Sequence, residues 1–173
     1  MLRNIEIKAR LGSVEELLPT VGRIAQQGPW EITQDDTYFA CATGRLKLRA
    51  LSAHEGELIY YQRADQLPPK ESRYLRSGTS APETLRETLR LAYGEVGRVR
   101  KRRTLFLCGR TRIHLDRVEG LGHFLELEVV LADGEPAAEG VRVAHELMRQ
   151  LGVSSAQLIA GGYLELLAGT PAR

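Results

Sequence analysis

Cysteine is scarce in this chain: Cys41 and Cys108 are the only two among 173 residues, and no CxxC pair occurs. That excludes a disulfide framework and a cysteine-based zinc site, and it makes a reducing cytoplasm the expected setting. Aromatic residues are only 6% of the chain, too few for the stacking platforms that hold single-stranded nucleic acid. No apolar run approaches the roughly 18–20 residues of a membrane span, and Met1–Lys8 alternates charge with apolar residues where a signal peptide would need an apolar stretch. An excess of one charge is also missing. Lys+Arg 24 against Asp+Glu 22 leaves +2, which speaks against a basic arm or an acidic tail. Neither nucleic acid nor a membrane is therefore an expected partner. GxxxxGK, GxSxG and HExxH are all absent, so P-loop, hydrolase-elbow and zincin chemistries drop out. Even lysine is rare: of the 24 basic residues only Lys8, Lys47, Lys70 and Lys101 are lysines.

What is present is alternation. At about 150 residues per domain, the length fits one domain spanning 1–173. Period-two patterns predict strands at 2–11, 30–40, 45–51, 57–63, 96–108, 110–118 and 123–131, with a short extended piece near 70–74. Ser13-x-x-Glu16 and Ser80-x-x-Glu83 resemble capping boxes, predicting helices from 13 to about 27 and from 80 to 92. A third helix is expected at 135–151, followed by a helical or extended tail from 154 to about 167 that carries Tyr163. Runs of antiparallel strands with helices outside them indicate an α+β fold.

In an ordinary half-buried sheet the charged faces would meet water. Here they are patterned. Glu6, Asp116, Glu126 and Glu128 share inward-type parity with Lys8, Arg10, Arg45, Lys47, Arg49, Arg63, Lys101, Arg103 and Arg112. The apolar faces suffice to pack under the helices. Enough such strands close into an antiparallel β-barrel with no free edge and a charged tunnel inside. Unpaired charges there would cost several kcal/mol each, so the tunnel must hold water, ions or a ligand. With cations in excess, the natural guest is a multiply charged anion. Carboxylates beside them suit Mg²⁺ or Mn²⁺. Three of the four lysines, Lys8, Lys47 and Lys101, fall on these faces.

The same residues resemble the CYTH family of triphosphate tunnel metalloenzymes, which includes CyaB-type adenylate cyclases and thiamine and inorganic triphosphatases. The stretch matching the family's opening ExExK signature is Asn4-Ile5-Glu6-Ile7-Lys8; further family blocks are matched in order by Asp36-Thr37-Tyr38-Phe39, Gly44-Arg45-Leu46-Lys47-Leu48-Arg49, Tyr61-Gln62-Arg63 and Lys101-Arg102-Arg103. The most specific block runs from Asp116 through Gly120-Leu121-Gly122 and Phe124 to Glu126-Leu127-Glu128.

The resemblance implies a single CYTH-like domain that binds ATP or another triphosphate with Mg²⁺ or Mn²⁺; a homodimer is left open. It implies Glu6, Asp116, Glu126 and Glu128 as metal ligands. Lys8, Arg10, Arg45, Lys47, Arg49, Arg63, Lys101, Arg103 and Arg112 would contact substrate. Lys8, Arg63 and Lys101 are the catalytic candidates. Two positions depart from the pattern. Asn4 replaces the first glutamate, so one ion site loses charge, and Gln62 replaces a lysine. The CyaB-type cyclase is ranked first, a triphosphatase second, and a non-catalytic nucleotide- or polyphosphate-binding protein third. His114 shares the inward parity but is read as a structural histidine.

Overall fold

The computed structural model describes residues 1–169; the last four residues of the expected domain lie outside the described ones. Eight antiparallel strands close into one ring of hydrogen bonds, in the order β1-β5-β4-β3-β2-β6-β7-β8 and back to β1. They are β1 (Leu2–Leu11), β2 (Gln27–Phe39), β3 (Arg45–Ala50), β4 (Gly56–Arg63), β5 (Lys70–Thr79), β6 (Glu95–Cys108), β7 (Thr111–Val118) and β8 (Gly122–Val130). Four α-helices accompany them: α1 (Val14–Ile24), α2 (Pro82–Tyr93), α3 (Ala137–Leu151) and the short α4 (Tyr163–Leu167).

Alternation decides what each face does. Ile5, Ile7 and Ala9 of β1 point outward with Ile113 and Leu115 of β7 and Leu125, Leu127 and Val129 of β8, all buried. They meet Val14, Leu17 and Val21 of α1 and Ala144, Leu147, Met148 and Leu151 of α3 in the main core. α3 can lie this close because Gly140 has no side chain: a Cβ there would sit 2.6 Å from Ile5 Cγ1 and 2.7 Å from Leu131 Cδ2. A smaller core of Phe39, Leu48 and Leu89 seats α2 on β2 and β3.

Several boundaries differ from the sequence reading. β5 is a full ten-residue strand, not a short piece. Its run Arg73–Thr79 is mostly exposed and polar, so hydrophobic periodicity gives no signal there; pairing with β4 along Ser72–Thr79, and with β1 only as far as Tyr74, makes it a strand. α1 ends at Ile24 and β2 begins at Gln27, because β2 pairs with β6 further than its apolar residues extend. Pro19 lies within α1. Ser13 accepts a hydrogen bond from Glu16 N at 3.3 Å, but Ser80 does not cap α2. Its N-cap is Ala81, with Pro82 opening the helix, where a missing N–H costs nothing.

Candidate functional site

The inner faces of the strands enclose a cavity of about 310 Å³. Cross-strand register decides who meets whom. Glu6 lies opposite Glu128, and Lys8 opposite Glu126; Glu126 also faces His114, and Glu128 faces Arg112. On the far wall Asp36 faces Arg49, and Tyr38 faces Lys47. One wall thus carries most of the acids and the other most of the unneutralised cations.

Most sequence-predicted residues are brought together. Lys8 Nζ donates to Glu126 Oε1 at 2.6 Å, and Arg103 Nη2 donates to Glu126 Oε2 at 2.9 Å. Arg63 Nη1 donates to Glu6 Oε1 at 2.8 Å, while its Nε and Nη2 are buried without a partner among the described residues. Arg112 holds Glu128 at 2.8 Å and the Tyr74 hydroxyl at 3.1 Å. Lys47, Arg49 and Lys101 also line the cavity. One donor atom each from His114, Glu126 and Glu128 lies within 4.8 Å of the others, a separation one cation could bridge.

Three predicted residues stand elsewhere. Arg10 is exposed and lies over the Phe124 ring, 5.0 Å from its centroid, outside the cavity lining. The strand has by then run past the enclosed space, so parity alone overextends the site. Arg45 sits at the rim, paired with Glu165 at 2.7 Å and Asp65 at 3.2 Å. Asp116 is fully buried behind the cavity, with both oxygens taken. Arg103 grips it in a two-bond fork at 2.7 Å each, and the Tyr163 hydroxyl donates to it at 2.7 Å. That geometry makes it an anchor for Arg103 rather than an open ligand.

The profile of the CYTH domain matches residues 2–163. The chain belongs to the CYTH domain family. Over 169 residues it is 25% identical to the adenylate cyclase CyaB of Aeromonas hydrophila, covering 94% of this chain and 87% of that protein. It is similar to the PH1012 protein of Pyrococcus horikoshii OT3, with a TM-score of 0.84, 26% identity and coverage of 95% and 99% of the two chains. A Hippeastrum protein described as having a dominant triphosphatase activity shares the fold, with a TM-score of 0.66, 15% identity and coverage of 98% and 97%. Enzymes of both names are thus built on this CYTH architecture.

Within the CYTH ring, one organising residue stands in a quoted motif block, Asp36-Thr37-Tyr38-Phe39, but carries no role in the sequence reading. Asp36 is fully buried and holds three cations: Arg49 through two bonds of 2.8 Å, Lys47 at 3.0 Å and Lys101 at 3.2 Å. Its parity with Gln34 and Tyr38 was the available signal. Burial pushes the Asp36 carboxyl up, but Arg49, Lys101 and Lys47 outweigh it and hold it well below the ordinary carboxylate range. The same burial drives Lys101 down to about 7, helped by Arg49 and Arg103 and opposed by Asp36. For Glu128 burial again pushes upward, and His114 and Arg112 bring it down to about 2. Burial, and then Arg103, lowers His114 and keeps its imidazole neutral near pH 7.

Tyr163 is the other residue given no role in advance. Its ring meets Phe124 edge-on with centroids 5.0 Å apart and lies 3.8 Å from Lys8 Nζ, so the start of α4 lines part of the enclosed space. Ile159 N donates to Lys8 O at 2.9 Å, and Lys70 Nζ donates to the carbonyls of Gln66 and Ala160, which tie the segment before α4 to the ring.

Proposed function

We propose that the ring works as a tunnel in which a triphosphate is bound and processed with a divalent metal ion, in the manner of a CyaB-type adenylate cyclase. One observation carries this reading. Eight cationic side chains line the cavity against four carboxylates, and adding Asp36 and Asp116 behind them still leaves two positive charges uncompensated when Lys101 is protonated and one when it is not. An enclosed surplus of Arg and Lys is costly unless an anion shares it, and guanidinium forks match phosphate oxygens. Arg63 lines the cavity, and two of its buried nitrogens have no acceptor among the described residues.

The lining also has an apolar part, with Ile32, Leu51, Ile59 and Leu105 beside Tyr38, Tyr61 and Tyr74. That favours a triphosphate carrying an organic group over the bare inorganic anion. The relative identical at 25% along nearly its whole length is named an adenylate cyclase, which supports ATP as that group's source.

The donor set fits a hard divalent ion. Glu126 and Glu128 lie side by side in the cavity, and Glu6 lies across from Glu128. Asn4 Oδ1, which lines the same cavity and has no partner among the described residues, offers a neutral oxygen. Mg²⁺ or Mn²⁺ held by these residues would supply charge neutralisation on the transferring phosphoryl group. The chain does the rest by positioning and electrostatics. Arg63, Lys8 and Lys101 face the phosphate chain and offset charge on the departing pyrophosphate as the ribose 3′-oxygen attacks the α-phosphorus and its hydroxyl proton passes to solvent. Arg49 and Lys47 are held in place by Asp36, so they need no reorganisation when the substrate enters.

The test is a product assay. The protein is incubated with ATP, inorganic triphosphate or thiamine triphosphate and Mg²⁺ or Mn²⁺. Cyclic AMP with pyrophosphate is the expected result. Orthophosphate instead would make the protein a triphosphatase, and tight binding without any product would make it a binding module.

A further inference from the structure

We infer that His114 is a ligand of the metal ion, so that this site is a mixed nitrogen–oxygen site preferring Mn²⁺, and first-row ions beyond it, over Mg²⁺. The inference rests on the reading above that the ring binds a divalent cation. Two independent observations carry it. First, β7 and β8 place His114 opposite Glu126 and one row from Glu128, all on the inner face, with one donor atom of each within 4.8 Å of the others. Second, His114 Nδ1 is buried and has no hydrogen-bond partner among the described residues, although its side chain is only 5% exposed. A buried imidazole nitrogen without a partner is unusual and costly.

The ordinary explanation, a structural hydrogen bond, does not fit. The nearest acceptor, Glu126 Oε2, is 3.5 Å away and already takes Arg103 Nη2 at 2.9 Å. That distance is too long for a good hydrogen bond, while a cation between the two groups would use both. The carboxylates have capacity left. Each Glu126 oxygen accepts one bond from the protein and retains a lone pair. Glu128 gives Oε2 to Arg112, and its Oε1 accepts no hydrogen bond among the described residues. One nitrogen and two carboxylates discriminate against Mg²⁺, which demands oxygen and keeps its water, and favour ions that accept imidazole.

The experiment uses the full chain and metal alone. Mn²⁺ and Mg²⁺ are titrated by calorimetry, and bound Mn²⁺ is read by pulsed electron paramagnetic resonance for directly coordinated ¹⁴N. The expected result is a Mn²⁺ site at least about tenfold tighter than for Mg²⁺, with imidazole coupling. His114→Gln should erase that coupling and weaken Mn²⁺ by about tenfold or more, with Mg²⁺ changed much less. If His114→Gln does not fold, a variant with His54, His123 and His145 all changed to Gln carries the test, because its coupling must then persist. Bound Mn²⁺ without nitrogen coupling, or coupling that survives His114→Gln, overturns the inference and leaves the proposed function standing. Failure to bind either ion, even with inorganic triphosphate added, overturns both.

Discussion

Two anionic centres stand inside the same ring, and they have opposite chemistry. Asp36 is one carboxylate serving three cations, with no exposed surface. Glu126 and Glu128 are two carboxylates beside a neutral imidazole with an idle nitrogen. The first centre is saturated by protein and leaves a positive surplus in the cavity. The second has donor capacity that the protein does not use. Stoichiometry of partners, rather than residue type, separates an internal anchor for cations from a place where an ion can bind. Asp116, forked by Arg103 and capped by Tyr163, belongs with Asp36.

The largest effect should come from breaking the saturated centre. Asp36→Asn leaves three cations around a neutral, buried group and should destabilise the fold by roughly 3–5 kcal/mol, as breaking a buried pair does. Chemical denaturation checks it, and a shift under about 1 kcal/mol would mean that water already compensates those cations. Glu126→Gln should do the reverse: a chain that still folds, with metal-dependent turnover lower by about a hundredfold or more. Unchanged turnover would remove Glu126 from the ion site.

Lys101 sharpens the comparison through pH. In the empty protein it is charged below about 7 and neutral above, so its help in binding an anion is present at low pH and fades as pH rises. The affinity gap for inorganic triphosphate between the wild type and Lys101→Met should therefore narrow as pH rises through about 7, a trend that calorimetry at several pH values would follow. A gap independent of pH would show that the site keeps Lys101 charged. The smallest effect is expected at Asn4. Asn4→Glu adds a carboxylate beside Glu6 and should tighten Mn²⁺ or Mg²⁺ by about threefold to tenfold, since ligand charge sets affinity. A metal titration with no change would place Asn4 outside the ion's reach.

Much of this arrangement is legible in the amino-acid sequence. Strict alternation in Leu2–Leu11, Arg45–Ala50 and Gly122–Val130 fixes which side chains enter the ring, because a strand has only two faces. Hence Glu6, Lys8, Arg49, Lys101, Arg103, Glu126 and Glu128 were placed correctly with respect to the interior. What parity does not give is depth along the strand. Arg10 and Asp116 share the inward parity, yet one reaches solvent and the other lies sealed behind Arg103. Nor does it give partners. The demand of Lys47, Arg49 and Lys101 for a shared anion emerges only when β2, β3 and β6 are laid side by side, which is why the motif block naming Asp36 gives it no role. β5 was underestimated for a related reason: its outer half is polar on both faces, and its strand character comes from its neighbours.

The most direct test of the central claim, that surplus cations inside the ring hold a polyphosphate, is calorimetric titration of inorganic triphosphate into wild type, Arg63→Gln and Arg10→Ala. One saturable site should appear, weakened by about tenfold or more in Arg63→Gln, which lines the cavity, and unchanged in Arg10→Ala, which lies outside it. Equal loss in both variants, or no saturable site in the wild type, would contradict the account.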